Sequence, residues 1–225
     1  MARMAHSGSH ILVVGGTKGI GRGIVEALGS RAVVWSRENG VDATDAQSVE
    51  QATKRMLETH GAPWGLVHTV GDFFEAPLLS TPPSQFHEMV QSNLVTALHV
   101  IQAVAPSMLA QKRGRIVLFA AAGAGLDRAM LRAPIYFAIK AALVHMARSL
   151  AAEFAKSGVT VNVVSPGLIG HPHSHQESQQ RMLQRVPAGR LGNVDDVVSL
   201  VQWLLSEQSS YMTGQDLTVD GGLQL

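Results

Sequence analysis

The stretch Ile11-Leu-Val-Val-Gly15-Gly-Thr-Lys-Gly19-Ile-Gly21-Arg-Gly-Ile24-Val-Glu-Ala-Leu28 decides the fold. Ile11 to Val14 is an apolar run of the kind a strand buried on both faces carries. Ile24 to Leu28 has helical character, and between the two lies Gly15-x-x-x-Gly19-x-Gly21. Glycines between a strand and a helix let the backbone turn tightly and approach a pyrophosphate. The helix N-terminus then adds free N–H groups and a favourable dipole. Thr17 and Lys18 sit inside the same turn and join the candidate phosphate contacts. A tight turn that binds nothing is the competing reading until further residues agree.

Outward from this unit, short apolar runs alternate with helical patterns. Ala32–Trp35, Gly65–Val70, Arg115–Phe119, Val159–Val164 and Asp216–Val219 read as strands. Ala46–Thr59, about Gln85–Leu109, Ile135–Lys156 and Val194–Leu205 read as helices, with Pro82 and Pro83 suited to a helix start. The alternation predicts an α/β, Rossmann-like, doubly wound and mostly parallel sheet in one domain, residues 11–225. Met1 to His10 has no apolar signal core and reads as a mobile leader. Only six residues separate Trp35 from the acidic turn Asp42-Ala-Thr-Asp45. A parallel crossover with its helix needs at least about 10–12. The connection between the second and third strands is therefore shortened: either a strand near Val41 is vestigial or the helix before it is gone.

Bulk properties narrow the function classes. A 46% hydrophobic content excludes general disorder, and a net charge of +1 gives no global pull towards nucleic acid or membrane. The absence of cysteine excludes disulfides, a thiolate nucleophile and cysteine-ligated zinc, and fits a cytoplasmic setting. The longest apolar stretches are interrupted before the roughly 20 residues of a membrane span.

Two features point to chemistry. Tyr136 and Lys140 stand four residues apart, which places them on one helical face, and a nearby cation lowers a phenol's pKa. At the end of the second strand an NAD site carries an acid, whereas a basic residue accommodates the extra phosphate of NADP. Here the chain reads Ser36-Arg37, with no acid before Glu38 and with Lys18 in the glycine turn. Arg37 and Lys18 favour NADP(H), against a reading of both as ordinary surface charge.

With the tail segments Val186-Pro-Ala-Gly-Arg-Leu-Gly192, Tyr211-Met-Thr-Gly-Gln215 and Val219-Asp-Gly-Gly222, these motifs resemble the short-chain dehydrogenase/reductase family over nearly the whole chain. Within it they are most similar to the 3-oxoacyl-acyl-carrier-protein reductases. The resemblance implies that Gly15, Gly19, Ile20 and Gly21 line the pyrophosphate, and that Asp42 meets the adenine with Ala43 beside it. Pro166, Gly167 and Ile169, in Ser165-Pro-Gly-Leu-Ile169, would hold the nicotinamide carboxamide. Tyr136 would protonate a carbonyl oxygen as hydride arrives, Lys140 would lower its pKa and bind ribose, and Asn93 would hold a relay water. From its residue type alone, Asn93 reads as a polar side chain bonding its own helix backbone. The resemblance also implies a homodimer or homotetramer, joined through the long helices and the last strand.

Two departures qualify it. His68-Thr-Val-Gly71 stands where the family usually reads Asn-Asn-Ala-Gly, which keeps Gly71 but puts contacts near the adenosine ribose in question. The stretch Ala120-Ala-Ala-Gly-Ala-Gly125 has no hydroxyl where the family's substrate-orienting serine belongs, and Ala121 takes its place if two extra residues precede Tyr136. Losing one such donor typically costs about 2.7–4 kcal/mol of barrier. Two functions therefore stay open: NADP(H)-dependent reduction of a ketone or 3-oxoacyl substrate, or a nucleotide-binding sensor or partner subunit on the same scaffold. Thr69 and Asp72 are candidate substitutes for the serine, each with a blander reading as strand-end hydroxyl and solvated carboxylate. His171-Pro-His-Ser-His175 reads as a polar lid, so no metal is expected. Lys112-Arg-Gly-Arg115, Arg128 and Arg132 read as solvated surface, with an anionic carrier or coenzyme A as the alternative partner. Met146 and Met182 read as packing residues.

Overall fold

The structure is a computed structural model that describes residues 10–126, 129–170 and 183–225. Six parallel strands form one sheet: β1 (Ile11–Val14), β2 (Ala32–Trp35), β3 (Gly65–His68), β4 (Gly114–Phe119), β5 (Val159–Pro166) and β6 (Asp216–Val219). Their spatial order is β2-β1-β3-β4-β5-β6. Crossovers run one way from β1 to β2 and the other way from β3 onward, so a topological switch point lies between β1 and β3. In open α/β sheets the ligand crevice lies outside the strand C-termini at this point.

The helices are α1 (Gly19–Leu28), α2 (Ala46–His60), α3 (Pro83–Val90), α4 (Thr96–Ala110), α5 (Pro134–Phe154) and α6 (Val194–Leu204). They cover both faces. Leu12, Leu66, Ile116 and Val161 meet α2, α4 and α5 on one side, while Val13, Val67, Val117 and Val164 meet α1 and α6 on the other. Strands buried on both faces explain the continuous apolar runs of the sequence. Each fully buried Leu or Ile contributes about 1.5–3 kcal/mol against exposure. Gly23 sets how closely α1 and α6 approach, because a Cβ there would run into Val194.

Several details differ from the sequence expectation, among them strand β3, which ends at His68 and not at Val70. Helix α1 starts at Gly19 rather than near Ile24, so its first turn is the glycine turn itself. Strand β5 continues two residues beyond Val164, to Pro166. The long helix is continuous from Pro83 to Ala110 but contains a π-helical segment, Gln91–Val95, between α3 and α4. Arg115 is buried rather than solvated: its guanidinium stacks 4.7 Å from the Trp64 ring and bonds to the Gly114 and Ser206 carbonyls and to Glu207.

The shortened connection lacks both the strand and the helix before it. After β2 the chain makes one turn of 3₁₀ helix, Arg37–Asn39, then folds back so that the Val41 N–H bonds to the Ser36 carbonyl. Val41 and Ala43 are buried in the core instead of pairing in the sheet. Strand β2 is therefore the sheet edge.

The reading that no apolar stretch reaches span length also needs correction. Pro83–Ala110 and Pro134–Ser157 are 28 and 24 residues long, and each contains an 18-residue stretch, of mean hydropathy 1.4 and 1.3, that is apolar enough by length and composition to cross a membrane. Isolated polar residues interrupt the apolar runs without ending the helices. Here the two helices lie on the sheet, burying Val100, Val104 and Met108 of one and Leu143, Ala147 and Ala151 of the other.

Candidate active site

The glycine turn forms because each glycine meets a separate demand. Gly15 and Gly19 have φ of +88° and +53°, a region that favours glycine. Gly21 is pressed against the Gly15 carbonyl and the Thr69 hydroxyl, which leaves no room for a side chain. Thr69 fixes the turn to β3 by donating to the Val14 carbonyl at 2.9 Å, with the Gly15 carbonyl at 3.2 Å. No side chain caps the start of α1, and no acid stands in its first turn. Its free N–H groups and dipole suit a phosphate.

Lys18 occupies the N-cap position without capping it, and its side chain reaches Glu38 at 3.7 Å, which brings the turn and the end of β2 together. The pair is largely exposed, so it contributes little and is readily exchanged for another anion. Arg37 is exposed on the same loop. Asp42 accepts from the Thr44 N–H and hydroxyl at 2.9 and 2.7 Å, and these bonds hold its carboxyl below the usual carboxylate range. Ala43 is buried, with its carbonyl 3.2 Å from His99 Nδ1.

A cleft of about 1000 Å³ opens at the C-terminal ends of β3, β4 and β5. Tyr136, Lys140, Gly71, Ala121, Ile20, Pro166, Gly167 and Ile169 all line it. Tyr136 lies in the first turn of α5, with its ring edge-on to Phe73 at 4.9 Å between centroids. Lys140 is one turn further, 4% exposed, and donates from Nζ to the Phe119 carbonyl at 2.8 Å. Its Nζ is 5.7 Å from the Tyr136 ring centroid. Burial pushes the phenol up to about 12 and the ammonium down to about 8. The expected lowering of the Tyr136 pKa by Lys140 is thus absent in this structure. Burial dominates, and Lys140 directs one N–H at the main chain.

The π-helical segment explains how Asn93 enters the site. A π turn adds a residue to the helical repeat and rotates a side chain out of register. Asn93 is fully buried, and its amide donates to the Asp72 and Met89 carbonyls at 2.9 Å each. It therefore bonds its own helix, as a polar helix residue does, but its Oδ1 is buried without a protein partner. A Cβ on Gly71 would collide with that oxygen and come within 3.1 Å of Lys140 Nζ. Gly71 is therefore the spacer that lets Asn93 and Lys140 face one another, a role its position in the sequence did not disclose.

The two departures have local consequences. His68 is buried, and its imidazole is held neutral, down to about 3, first by burial and then by the charge of Lys140. Ala120, Ala121 and Ala122 form a cleft wall without a side-chain donor. Neither proposed substitute serves well. The Thr69 proton is committed to main-chain carbonyls, and Asp72 is exposed and lies outside the cleft lining.

The loop after β5 is held at several points. Gly167 donates to the Val219 carbonyl at 2.9 Å, and Ile169 bridges to Gly192. Below it Ser165 donates to the Asp216 carboxylate, whose pKa burial raises. Gly167 packs so closely on Asp220 that a Cβ would contact the aspartate Cβ at 2.6 Å. Sequence reasoning missed Phe73, Leu223, Gln224 and the Glu75–Arg132 ion pair (2.7 Å) on this cleft. Arg132 is therefore exposed but already charge-matched. Met146 packs partly buried against the core. Residues 1–9, Arg128, the histidine segment at 171–175 and Met182 lie outside the described residues.

Comparison with known proteins agrees with this architecture. A family model described as enoyl-(acyl carrier protein) reductase matches residues 3–224. The 3-oxoacyl-[acyl-carrier-protein] reductase MabA of Mycobacterium tuberculosis is 33% identical over 95% of this chain and 92% of its own. The corresponding FabG of Haemophilus influenzae is 32% identical over 97% and 99%. Among solved structures, gox2181 superposes with a TM-score of 0.86 at 29% identity, covering 96% of both chains. A protein from Agrobacterium tumefaciens shares the fold with a TM-score of 0.87 at 24% identity, again over 96% of both. The chain belongs to the short-chain dehydrogenase/reductase family, oxidoreductases that interconvert CH–OH and C=O groups.

Proposed function

We propose that this protein reduces a ketone or 3-oxoacyl thioester to the alcohol with NADPH, and that Tyr136 gives the proton. The observation that carries this reading is the meeting of Tyr136 and Lys140 on one cleft, between the glycine turn and the β5 loop, with Asn93 buried behind Gly71 of the same lining. The cradle fits a dinucleotide: uncapped N–H groups at α1, glycines packed too closely for side chains, and two exposed cations, Lys18 and Arg37, for a 2′-phosphate. Asp42 and Ala43 would border the adenine, and Pro166, Gly167 and Ile169 the carboxamide. The bound cofactor supplies the hydride.

The chain's own residues manage the proton. Burial keeps Tyr136 protonated across the neutral range, so the donor form is present before reaction. Lys140, held at the Phe119 carbonyl, has further N–H groups for a ribose and for the relay. Asn93 Oδ1 faces that ammonium across Gly71 and would accept from a bridging water that returns a proton towards Tyr136. An unpaired buried acceptor costs about 1–3 kcal/mol, which such a water recovers.

The relatives' names support an acyl-carrier-linked substrate. The absence of cysteine is compatible with a cytoplasmic setting. A homodimer or homotetramer is supported by the apolar groove between α4 and α5, lined by Leu94, Val95, Leu98, Ala142 and Met146. The alanine wall favours a second reading, nucleotide binding without turnover.

The test is NADPH oxidation by the purified chain with acetoacetyl-coenzyme A, ethyl acetoacetate and crotonyl-coenzyme A. Reduction of the first two is expected, with Tyr136→Phe slower by on the order of 10²-fold or more and NADPH binding retained. Equal activity in Tyr136→Phe removes the proton-donor role. Turnover of crotonyl-coenzyme A alone redirects the reading to C=C reduction. Tight NADPH binding without turnover, relieved by Ala121→Ser, establishes the second reading.

A further inference from the structure

We propose that the side-chain amide of Gln224 donates the hydrogen bond to the substrate oxygen for which Ala121 has no hydroxyl. The proposal rests on the carbonyl-reduction reading above. Gln224 lines the same cleft as Tyr136 and Ala121. Its Nε2 donates to the Ala122 carbonyl at 3.0 Å, so the amide lies against the alanine wall, one residue from Ala121. That contact fixes its orientation, since the reversed amide would set two acceptors together. One N–H is then committed and the second is not, while Oε1 is buried without a partner. The protein's own contacts leave most of this amide's hydrogen-bonding capacity unused.

The amide is also held in place before any ligand arrives. Asp220 takes the main-chain N–H of Gln224 on Oδ2 at 3.0 Å and that of Gly222 on Oδ1 at 2.9 Å, which fixes the turn after β6 and the backbone from which the side chain extends. Gly123, at φ +97°, leaves the space: a Cβ there would stand 3.0 Å from Gln224 Oε1. Among the described residues of this lining, the Thr69 hydroxyl is engaged with the main chain, the Arg132 guanidinium with Glu75, and Arg185 is exposed. As hydride reaches the carbonyl carbon, negative charge grows on oxygen. A fixed N–H on the cleft that Tyr136 also lines would stabilise that charge until the phenol delivers its proton.

The experiment measures NADPH oxidation with acetoacetyl-coenzyme A for wild type, Gln224→Ala, Ala121→Ser and the double variant, with NADPH affinity read separately by fluorescence. Gln224→Ala should lower kcat on the order of 10²-fold while leaving NADPH affinity nearly unchanged. Ala121→Ser should restore at least about tenfold of that loss in the double variant, yet gain less in the wild-type background, because one donor replaces the other. A merely structural role for Gln224 would give a loss that serine leaves unrelieved, and that result overturns the proposal. So does a Gln224→Ala enzyme within about threefold of wild type. Turnover by Ala121→Ser but not by wild type also overturns it, while leaving the scaffold competent for reduction. Absence of turnover in both defeats the reduction reading, and this assignment with it.

Discussion

Lys140 shows how burial of one side chain becomes a measurable property of the whole protein. Its folded pKa, about 8, lies below the ordinary lysine value of 10.5, so between these limits the unfolded chain binds more protons than the folded one. Stability therefore rises with pH from about 8 upward. Tyr136, raised from 10.0 to about 12, acts oppositely from about pH 10 and closes the window. Urea midpoints measured from pH 8 to 10 should rise in the wild type, and this rise should be lost in Lys140→Met. A parallel rise in the variant would mean that Lys140 is solvated. At this scale the sequence was legible where spacing carries the message: Tyr136 and Lys140 share a helical face, and Asn93 was found through its motif. It was silent where a role depends on contacts distant in the chain. Nothing around Gln224 hints at Ala122, about one hundred positions away, and nothing around Gly71 reveals that it separates Asn93 from Lys140.

Among the elements, the helix from Pro83 to Ala110 does two jobs on two faces. Its π segment turns Asn93 inward, while Leu94, Val95 and Leu98 remain on a groove shared with Ala142 and Met146 of α5. Leu98 is 41% exposed, a poor state for a leucine unless another surface covers it. Leu98→Glu should therefore reduce the particle mass in solution, read by light scattering on a size-exclusion column, with secondary structure unchanged. An unchanged mass would show that these helices do not carry the assembly. The strands and most helices were legible because double-sided burial leaves continuous apolar runs and β-to-α alternation. Arg115 was not, since a basic residue at the start of a strand carries no sign that Trp64 and Glu207 will close over it.

For the molecule as a whole, the doubly wound parallel sheet was legible in the alternation of elements, and the deficit between Trp35 and Asp42 was visible as a connection too short for a crossover. Both of its explanations hold: one 3₁₀ turn stands in place of the helix, and Val41 enters the core instead of a ladder. The trimmed edge has a consequence for the solution in which the protein works. With β2 outermost, Lys18 and Arg37 stand in open water, not in a walled pocket. On the proposed NADPH reading, their attraction for a 2′-phosphate would be exposed to the ionic atmosphere, whose screening length shrinks from about 10 Å at 0.1 M salt to about 3 Å at 1 M. The preference for NADPH over NADH that this reading expects should narrow as salt is added, by calorimetric titration of both nucleotides across that range. An equal salt response would remove Lys18 and Arg37 from the phosphate site. On that reading, cofactor choice would be a variable of ionic strength rather than a fixed constant of the fold.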